Sequence, residues 1–351
     1  MDKNERNEKG HPFGIHRVLD AQVVLPQAAE KLDNSLPIYS NEILLRVEKL
    51  NIDAASFVQM EEETGGDSQK IGEVILKNCA IRGKQHNRVT GSGGMLVGEV
   101  ESVGSHYQGP LKFKKGDKVA TLVSLTLTPL QISKIKTINM KTHQIDVDGF
   151  AILFEQSIAA ILPEDLPESL SMAVFDVAGA PATVNSLAEK GNTVVVVGAG
   201  GKAGLLSCLA ARKKVGKEGK VIGIEPSPKA AEALRKLELC DVVAQVDATH
   251  PIAVLNEIEG LTRGKMADLV VNVASVPNTE MGSVLACQPK GKVLFFSMAT
   301  SFTKVALGAE GVASSSQLIF GNGYFPNHAK FSIELLKKHP SLLELFTSRY
   351  S

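Results

Sequence analysis

The chain has 351 residues, a length that predicts two domains, and its hydrophobic (44%) and charged (22%) contents are typical of a globular protein. Its 38 basic and 38 acidic residues balance, so charge gives no reason to expect nucleic acid or an anionic membrane as a partner. No apolar run is long enough to span a bilayer, and the charged N-terminus lacks a signal-peptide core. Four scattered cysteines without a Cys-x-x-Cys pair indicate a reduced, cytoplasmic protein.

The first half of the chain carries short β-branched runs. Residues up to about 40 are polar and interrupted by prolines, which indicates irregular structure. Strand patterns follow at 42–48, 95–103 and 118–123. We therefore predict a small, mostly β, barrel-like domain over residues 1–165.

The second half alternates between strands and helices. A helical connection is predicted over 165–189, and from Thr193 the pattern becomes regular. The predicted strands are 193–198, 220–225, 242–245, 268–272, 292–297 and 317–321, with helices at 228–237, 252–258 and 330–338. This alternation is typical of a doubly wound parallel sheet, the Rossmann fold of α/β proteins, which we place at 166–324.

A glycine-rich turn follows the first of these strands. Its fingerprint positions are Gly198, Gly200 and Ala203, and Gly201 and Lys202 lie between them. A strand, a tight turn and a helix in this order let a backbone approach a dinucleotide pyrophosphate at a helix N-terminus. The next strand ends at Glu225, whose carboxylate would accept hydrogen bonds from ribose hydroxyls and repel a 2′-phosphate. NAD is therefore the expected cofactor.

Some NADP use stays open, because Ser227 and Lys229 follow this acid closely and could soften the preference for NAD. Further cofactor contacts are expected where parallel strands end, since ligands bind at the carboxyl edge of such sheets. Ordinary strand-to-loop turns are the alternative explanation for these residues. The predicted contacts are Ala274, Ser275, Ser297, Met298 and Asn322.

Together, these segments resemble the medium-chain dehydrogenase/reductase superfamily. The resemblance rests on the runs at 42–53, 98–104 and 113–119 and on the glycine turn. It implies a GroES-like β domain at residues 1–165, to which residues 325–351 return. Zinc members place a cysteine where this chain has Asp53 and a His-Glu pair where it has Gly94 and Met95. Because catalytic zinc needs three protein ligands, we expect no metal.

At a closer level the chain resembles the L-erythro-3,5-diaminohexanoate dehydrogenases of lysine fermentation. The segments that carry this resemblance are 14–18, 50–57 and 82–95. It implies NAD-dependent oxidative deamination of a diamino acid to 5-amino-3-oxohexanoate, ammonia and NADH, by a homodimer or homotetramer. The alternatives are a zinc-free quinone or enoyl reductase and a non-catalytic NAD(H)-binding protein, because a fold alone does not determine function.

Four residues are candidates for the amine chemistry, which calls for general bases and for recognition of ammonium and carboxylate groups. Asp53 could hold the substrate ammonium, although an aspartate that caps a loop is the alternative. Asp176 lies in an apolar run, where a buried carboxylate needs a partner; a surface position is equally consistent. His86 and Lys84 belong to a basic run that is either a proton-accepting, carboxylate-binding loop or simply solvated.

Overall fold

The computed structural model describes residues 5–22, 24–122 and 124–350. It divides into two compact units, the first ending at Pro163 and the second beginning at Glu164. The boundary lies within two residues of the predicted one. Each unit is described by itself.

The first unit is built on one antiparallel sheet, in which the described strands follow the order β4-β5-β1-β2-β3-β6. A buried apolar cluster, which includes Leu45, Phe57 and Ile75, lies under this sheet. The mostly β prediction is confirmed, and Val123, part of the predicted third strand, lies outside the described residues. The elements are β1 (Ile43–Asn51), α1 (Ala54–Thr64), α2 (Ser68–Arg82), β2 (Met95–Val103), β3 (Lys118–Thr121), β4 (Leu130–Asn139), β5 (Gln144–Leu153) and β6 (Ala159–Ile161).

Two helices, α1 and α2, lie between β1 and β2 in the chain and were not predicted from the sequence. Each begins at an aspartate whose side chain accepts a backbone N–H of the first turn, Asp53 for α1 and Asp67 for α2. Each ends at a glycine in the left-handed region, Gly65 and Gly83. Helix α2 packs on β4, and its end delivers the chain to the basic run that begins at Arg82.

A buried ion pair fastens the N-terminal segment to the first unit. The Arg17 guanidinium donates to both carboxylate oxygens of Glu42, at 2.7 and 2.6 Å, and both side chains are about fully buried. His16 Nε2 lies 2.9 Å from the same carboxylate. Although burial opposes ionisation, these partners hold the pKa of Glu42 below its usual range.

The second unit contains a parallel sheet in which the described strands follow the order β12-β11-β10-β7-β8-β9. This order, with helices between the strands, is the predicted doubly wound fold. The elements are α3 (Glu168–Phe175), α4 (Gly179–Leu187), β7 (Thr193–Val197), α5 (Lys202–Val215), β8 (Lys220–Ile224), α6 (Pro228–Lys236), β9 (Val242–Ala244), α7 (Pro251–Thr262), β10 (Ala267–Asn272), α8 (Glu280–Leu285), β11 (Cys287–Phe295), α9 (Phe302–Gly311), β12 (Gln317–Phe320), α10 (His328–Lys337) and α11 (Pro340–Tyr350).

The C-terminal helices correct one domain prediction. We expected residues 325–351 to return to the first domain, but α10 and α11 belong to the second unit. Helix α10 packs against α3, α4 and α5, with Leu335 and Leu336 buried, and Ser332 Oγ donates to the carbonyl of Ala178. The apolar face of α10 is thus covered by helices that precede and follow β7.

Among the described residues, no helix combines the length and apolar character that crossing a membrane requires.

Candidate functional site

The turn between β7 and α5 has the geometry of an anion cradle. Gly198 adopts φ +82°, a conformation that side chains rarely tolerate, and its N–H donates to the carbonyl of Ile224. Gly201 is the N-cap of α5 and provides no side-chain cap for the first turn. The first-turn N–H groups of this 14-residue helix therefore keep the capacity to bind an anionic group.

Close contacts explain the other glycines of the turn. A Cβ on Gly200 would lie 2.7 Å from Glu225 Oε2, and a Cβ on Gly204 would lie 2.1 Å from the Gly198 carbonyl oxygen. Ala203 holds the third fingerprint position, and its role at the cofactor stays a prediction. Gly204, one residue further along α5, also packs against the turn.

Glu225 lies directly beside this turn, as predicted. Its Oε2 accepts from Gly200 N and its Oε1 from Ser227 N, both at 3.0 Å, and the residue is 9% exposed. These contacts fix a carboxylate at the edge of the cradle. Ser227 caps α6, since its hydroxyl accepts from Ala230 N, and Lys229 is exposed in the first turn of the same helix.

The remaining predicted cofactor contacts follow the carboxyl ends of parallel strands, on the same edge as the glycine turn. Ala274 touches this turn directly, because its Cα lies 2.8 Å from an ideal Cβ on Gly198. Ser275 and Asn322 are exposed, and Ser297 is partly buried. Met298 is 97% exposed, which is unusual for a large apolar side chain. The structure leaves the roles of these four residues as predictions.

Asp176 is exposed, which favours the surface position over the buried carboxylate, the two alternatives that the sequence left open. It caps the C-terminal end of α3, its side chain is 44% exposed, and its Oδ2 accepts from Lys202 Nζ at 2.7 Å. The apolar residues before it face the interior, whereas the helix end turns this acid outward. Asp176 therefore lies at the start of α5, beside the anion cradle.

Two residues of α11 also reach this place, and sequence reasoning missed both. Arg349 Nη1 donates to the carbonyl of Gly200 at 3.2 Å, and the Lys202 ammonium lies 5.9 Å from the Tyr350 ring centroid. No local sequence pattern predicts this contact, because Arg349 is 149 residues from Gly200 in the chain. The cradle thus has two cations, Lys202 and Arg349, and two carboxylates, Asp176 and Glu225, beside it.

In the first unit, Asp53 is both a helix cap and a partly buried carboxylate with a spare oxygen. Its Oδ1 accepts from Ser56 N at 2.9 Å, which is the capping role weighed as the alternative. Its Oδ2 is buried and has no hydrogen-bond partner among the described residues. A buried carboxylate oxygen without a donor is costly, so this atom is suited to a cationic ligand.

The beginning of α1 contacts the loop over 83–94. Ser56 Oγ lies 2.5 Å from Thr90 Oγ1, and Asn87 Nδ2 donates to Gln59 Oε1 at 2.7 Å. A Cβ on Gly94 would lie 2.2 Å from the Asn51 carbonyl oxygen, so only glycine permits this approach. The structure therefore brings together Asp53 and the predicted basic loop.

Lys84 and His86 lie in this loop in different surroundings. Lys84 is fully buried, and its Nζ donates to the carbonyls of Pro26 and Gln27 at 2.8 and 3.2 Å. Burial lowers the pKa of Lys84 to about 8. Burial also lowers the pKa of His86, and the charges of Lys84 and Arg82 lower it further. With a pKa of about 8, Lys84 still carries its proton at neutral pH, whereas the lowered pKa of His86 makes it the better proton acceptor of the two.

Buried polar atoms without partners concentrate in this part of the first unit. In the described residues of the first unit, Ser102 Oγ is one such atom, and the others are Asp53 Oδ2, Arg82 Nη1, Gln85 Nε2, His86 Nδ1 and Thr128 Oγ1. Buried polar groups are normally satisfied, so such a set points to a ligand with both donors and acceptors. Within the described ranges, no group of three or more His, Cys, Asp or Glu side chains could hold a metal ion.

The comparisons with known proteins concern the chain as a whole. Residues 16–163 match the family model of the L-erythro-3,5-diaminohexanoate dehydrogenase N-terminal domain. The chain is 45% identical over 342 residues to an L-erythro-3,5-diaminohexanoate dehydrogenase of Acetoanaerobium sticklandii, covering 97% of this chain and 99% of that one. It belongs to the L-erythro-3,5-diaminohexanoate dehydrogenase family. A Fusobacterium nucleatum relative of the same name is 46% identical, covering 98% and 99%.

A solved structure supports the fold of this dehydrogenase family. Escherichia coli quinone oxidoreductase complexed with NADPH matches with a TM-score of 0.51 and 18% identity, covering 88% of this chain and 79% of that one. At this identity the match concerns the fold alone. The family resemblance and the two-domain α/β fold predicted from the sequence are thus confirmed.

Proposed function

We propose that this chain catalyses the NAD-dependent oxidative deamination of L-erythro-3,5-diaminohexanoate to 5-amino-3-oxohexanoate, ammonia and NADH. The observation that carries the proposal is the 45–46% identity, over nearly the whole chain, to dehydrogenases named for this substrate. The geometry supports it at two places, the glycine turn of the second unit and the Asp53 region of the first.

The glycine turn fits a nicotinamide dinucleotide. Its uncapped helix N-terminus and the cations Lys202 and Arg349 would hold the diphosphate, and Glu225 would accept the adenosine ribose hydroxyls. A 2′-phosphate would bring negative charge next to the Glu225 carboxylate, which supports NAD over NADP. When bound, the nicotinamide accepts the hydride that leaves C3 of the substrate.

Asp53 and His86 are the residues proposed for the substrate amine. The free Oδ2 of Asp53 accepts a hydrogen bond from the C3 ammonium and orients it. Nδ1 of His86 has no partner among the described residues, and its lowered pKa keeps it a free base near neutral pH. His86 would therefore take a proton from the amine or from the water that attacks the iminium carbon.

Lys84 and Asp176 receive other roles in this proposal. Lys84 Nζ is occupied by two carbonyl groups, so we propose that it anchors the loop and raises the positive charge around His86. Asp176 holds Lys202 and so acts on cofactor binding through that lysine. We further propose a homodimer or homotetramer in the cytoplasm.

The test follows reduced nicotinamide by absorbance with purified protein, NAD and L-erythro-3,5-diaminohexanoate, with and without a chelator. We expect NADH formation that the chelator does not affect, and a lower kcat/KM with NADP. Oxidation of NADPH by quinones or enones, without NADH formation from the diamino acid, would overturn the proposal in favour of a reductase. Neutral enones need no anionic partner, so the unpaired Asp53 carboxylate oxygen argues against that alternative.

A further inference from the structure

Gln85 has a fully buried side-chain amide. Its exposed fraction is 0%, yet Nε2 has no hydrogen-bond partner among the described residues. Leaving a buried N–H donor unpaired destabilises the folded chain, because the donor loses its hydrogen bond to water. A side chain retained at this cost, in a loop that contacts Asp53's helix, is explained if a ligand completes its hydrogen bonding.

The oxygen of this amide has one contact, with the thiol of Cys79. Cys79 Sγ lies 4.0 Å from Gln85 Oε1, within reach of a weak S–H donor. Burial raises the pKa of Cys79 to about 12, so the thiol keeps its proton and can only donate to an oxygen here. In this orientation Oε1 faces the Cys79 thiol, and the NH₂ end of the amide has no acceptor among the described residues.

The backbone of Gln85 is equally constrained. A Cβ on Gly93 would lie only 2.3 Å from the Gln85 carbonyl oxygen, so the two strands of the loop are in direct contact. Asn87 N donates to Ser92 O and closes the loop. Gln85 is thus held in one place, as a residue that discriminates between ligands must be.

We propose that Gln85 recognises the carboxylate of the amino-acid substrate, its Nε2–H donating a hydrogen bond to a carboxylate oxygen. The inference rests on the proposed function and extends it to a residue that determines specificity. Among the unpaired buried atoms of this unit, Asp53 Oδ2 can accept from an ammonium, and Gln85 Nε2 and Arg82 Nη1 can donate to an anion. An amino acid carries both groups.

The basic loop favours this assignment over a neutral acceptor. Arg82, Lys84 and Arg88 give the stretch around Gln85 an excess of positive charge, which attracts an anion. Arg82 lies 3.8 Å from Glu30, and Arg88 is paired with the same carboxylate, so both guanidinium groups already have a counter-charge. The Gln85 amide has no such partner and is available for the substrate carboxylate, together with Arg82 Nη1, which also lacks a hydrogen-bond partner.

The test compares Gln85→Met with wild type, using the diamino acid and the corresponding diamine in which hydrogen replaces the carboxylate. If a charge-assisted hydrogen bond is lost, kcat/KM should fall by about 10- to 100-fold for the diamino acid and change little for the diamine. Because methionine removes an unpaired donor, the variant's Tm should equal or exceed that of wild type.

Gln288→Met is the matched control. The amide of Gln288 is already paired, donating to Asp268 Oδ1 at 2.6 Å, so this variant should lose stability and keep the substrate ratio. If Gln85→Met keeps the wild-type preference for the diamino acid over the diamine, or if it lowers Tm and slows both substrates equally, Gln85 is structural and the inference fails. If the wild type itself forms no NADH from the diamino acid, it is the proposed function that fails.

Discussion

Replacing Asp53 by asparagine separates the two roles of this residue. The side chain caps α1 through Oδ1, which accepts from Ser56 N at 2.9 Å, while Oδ2 is left for the substrate ammonium. Asparagine caps a helix about as well as aspartate. With its oxygen on Ser56, however, it presents an NH₂ donor where the ammonium needs an acceptor.

The magnitudes follow from these contacts. Asp53→Asn should change the free energy of unfolding by less than about 0.5 kcal/mol, whereas Asp53→Ala loses the cap and about 1 kcal/mol. For a protein unit of this size, 1 kcal/mol shifts Tm by roughly 2–4 °C. Loss of a charge-assisted bond should lower kcat/KM for the diamino acid by about 10- to 100-fold in both variants.

The assay pairs NADH formation with thermal unfolding followed by circular dichroism, since the chain has no tryptophan for fluorescence. The expected pattern is activity lost in both variants and stability lost only in Asp53→Ala. Near-normal turnover in Asp53→Asn would refute the reasoning and make Asp53 a helix cap only.

Three other predictions concern the charged groups. Glu225→Ala should raise the NADP-to-NAD ratio of kcat/KM by about tenfold or more, because the carboxylate no longer repels a 2′-phosphate. It should also lower Tm, because Gly200 N and Ser227 N lose their acceptor. An unchanged ratio would contradict the assignment of Glu225. Asp176→Asn breaks a pair that is partly exposed, so stability should change by less than about 1 kcal/mol, with KM for NAD shifting at most about fivefold and kcat unchanged; a large fall in kcat would place Asp176 in the chemistry. Lys84 has a pKa of about 8 when folded and 10.5 when unfolded. Between these values the unfolded chain binds more protons, so the wild type should gain stability with rising pH relative to Lys84→Met, by at most about 3 kcal/mol. Urea unfolding at several pH values measures this difference. If the unfolding free energies of the two proteins depend on pH in the same way, the pKa of Lys84 is not shifted.

Much of the second unit could be predicted from local sequence. The strand-to-helix alternation, the turn at Gly198 and the acid at Glu225 depend on residues that are close in the chain, and the structure places them as expected. The first unit was harder, because helices α1 and α2 have weak apolar periodicity and are recognised mainly by their aspartate caps and terminal glycines.

The sequence by itself determined the family, the two-domain α/β architecture and the dinucleotide turn, because each depends on motifs that short stretches of chain carry. Only the tertiary structure decided which side chains are paired. It exposed Asp176 and paired it with Lys202, brought Gly204 against the glycine turn, and left Gln85 Nε2 buried without a hydrogen-bond partner. Hydrogen-bond satisfaction and exposure depend on what distant segments place beside a group, and no local pattern contains that information.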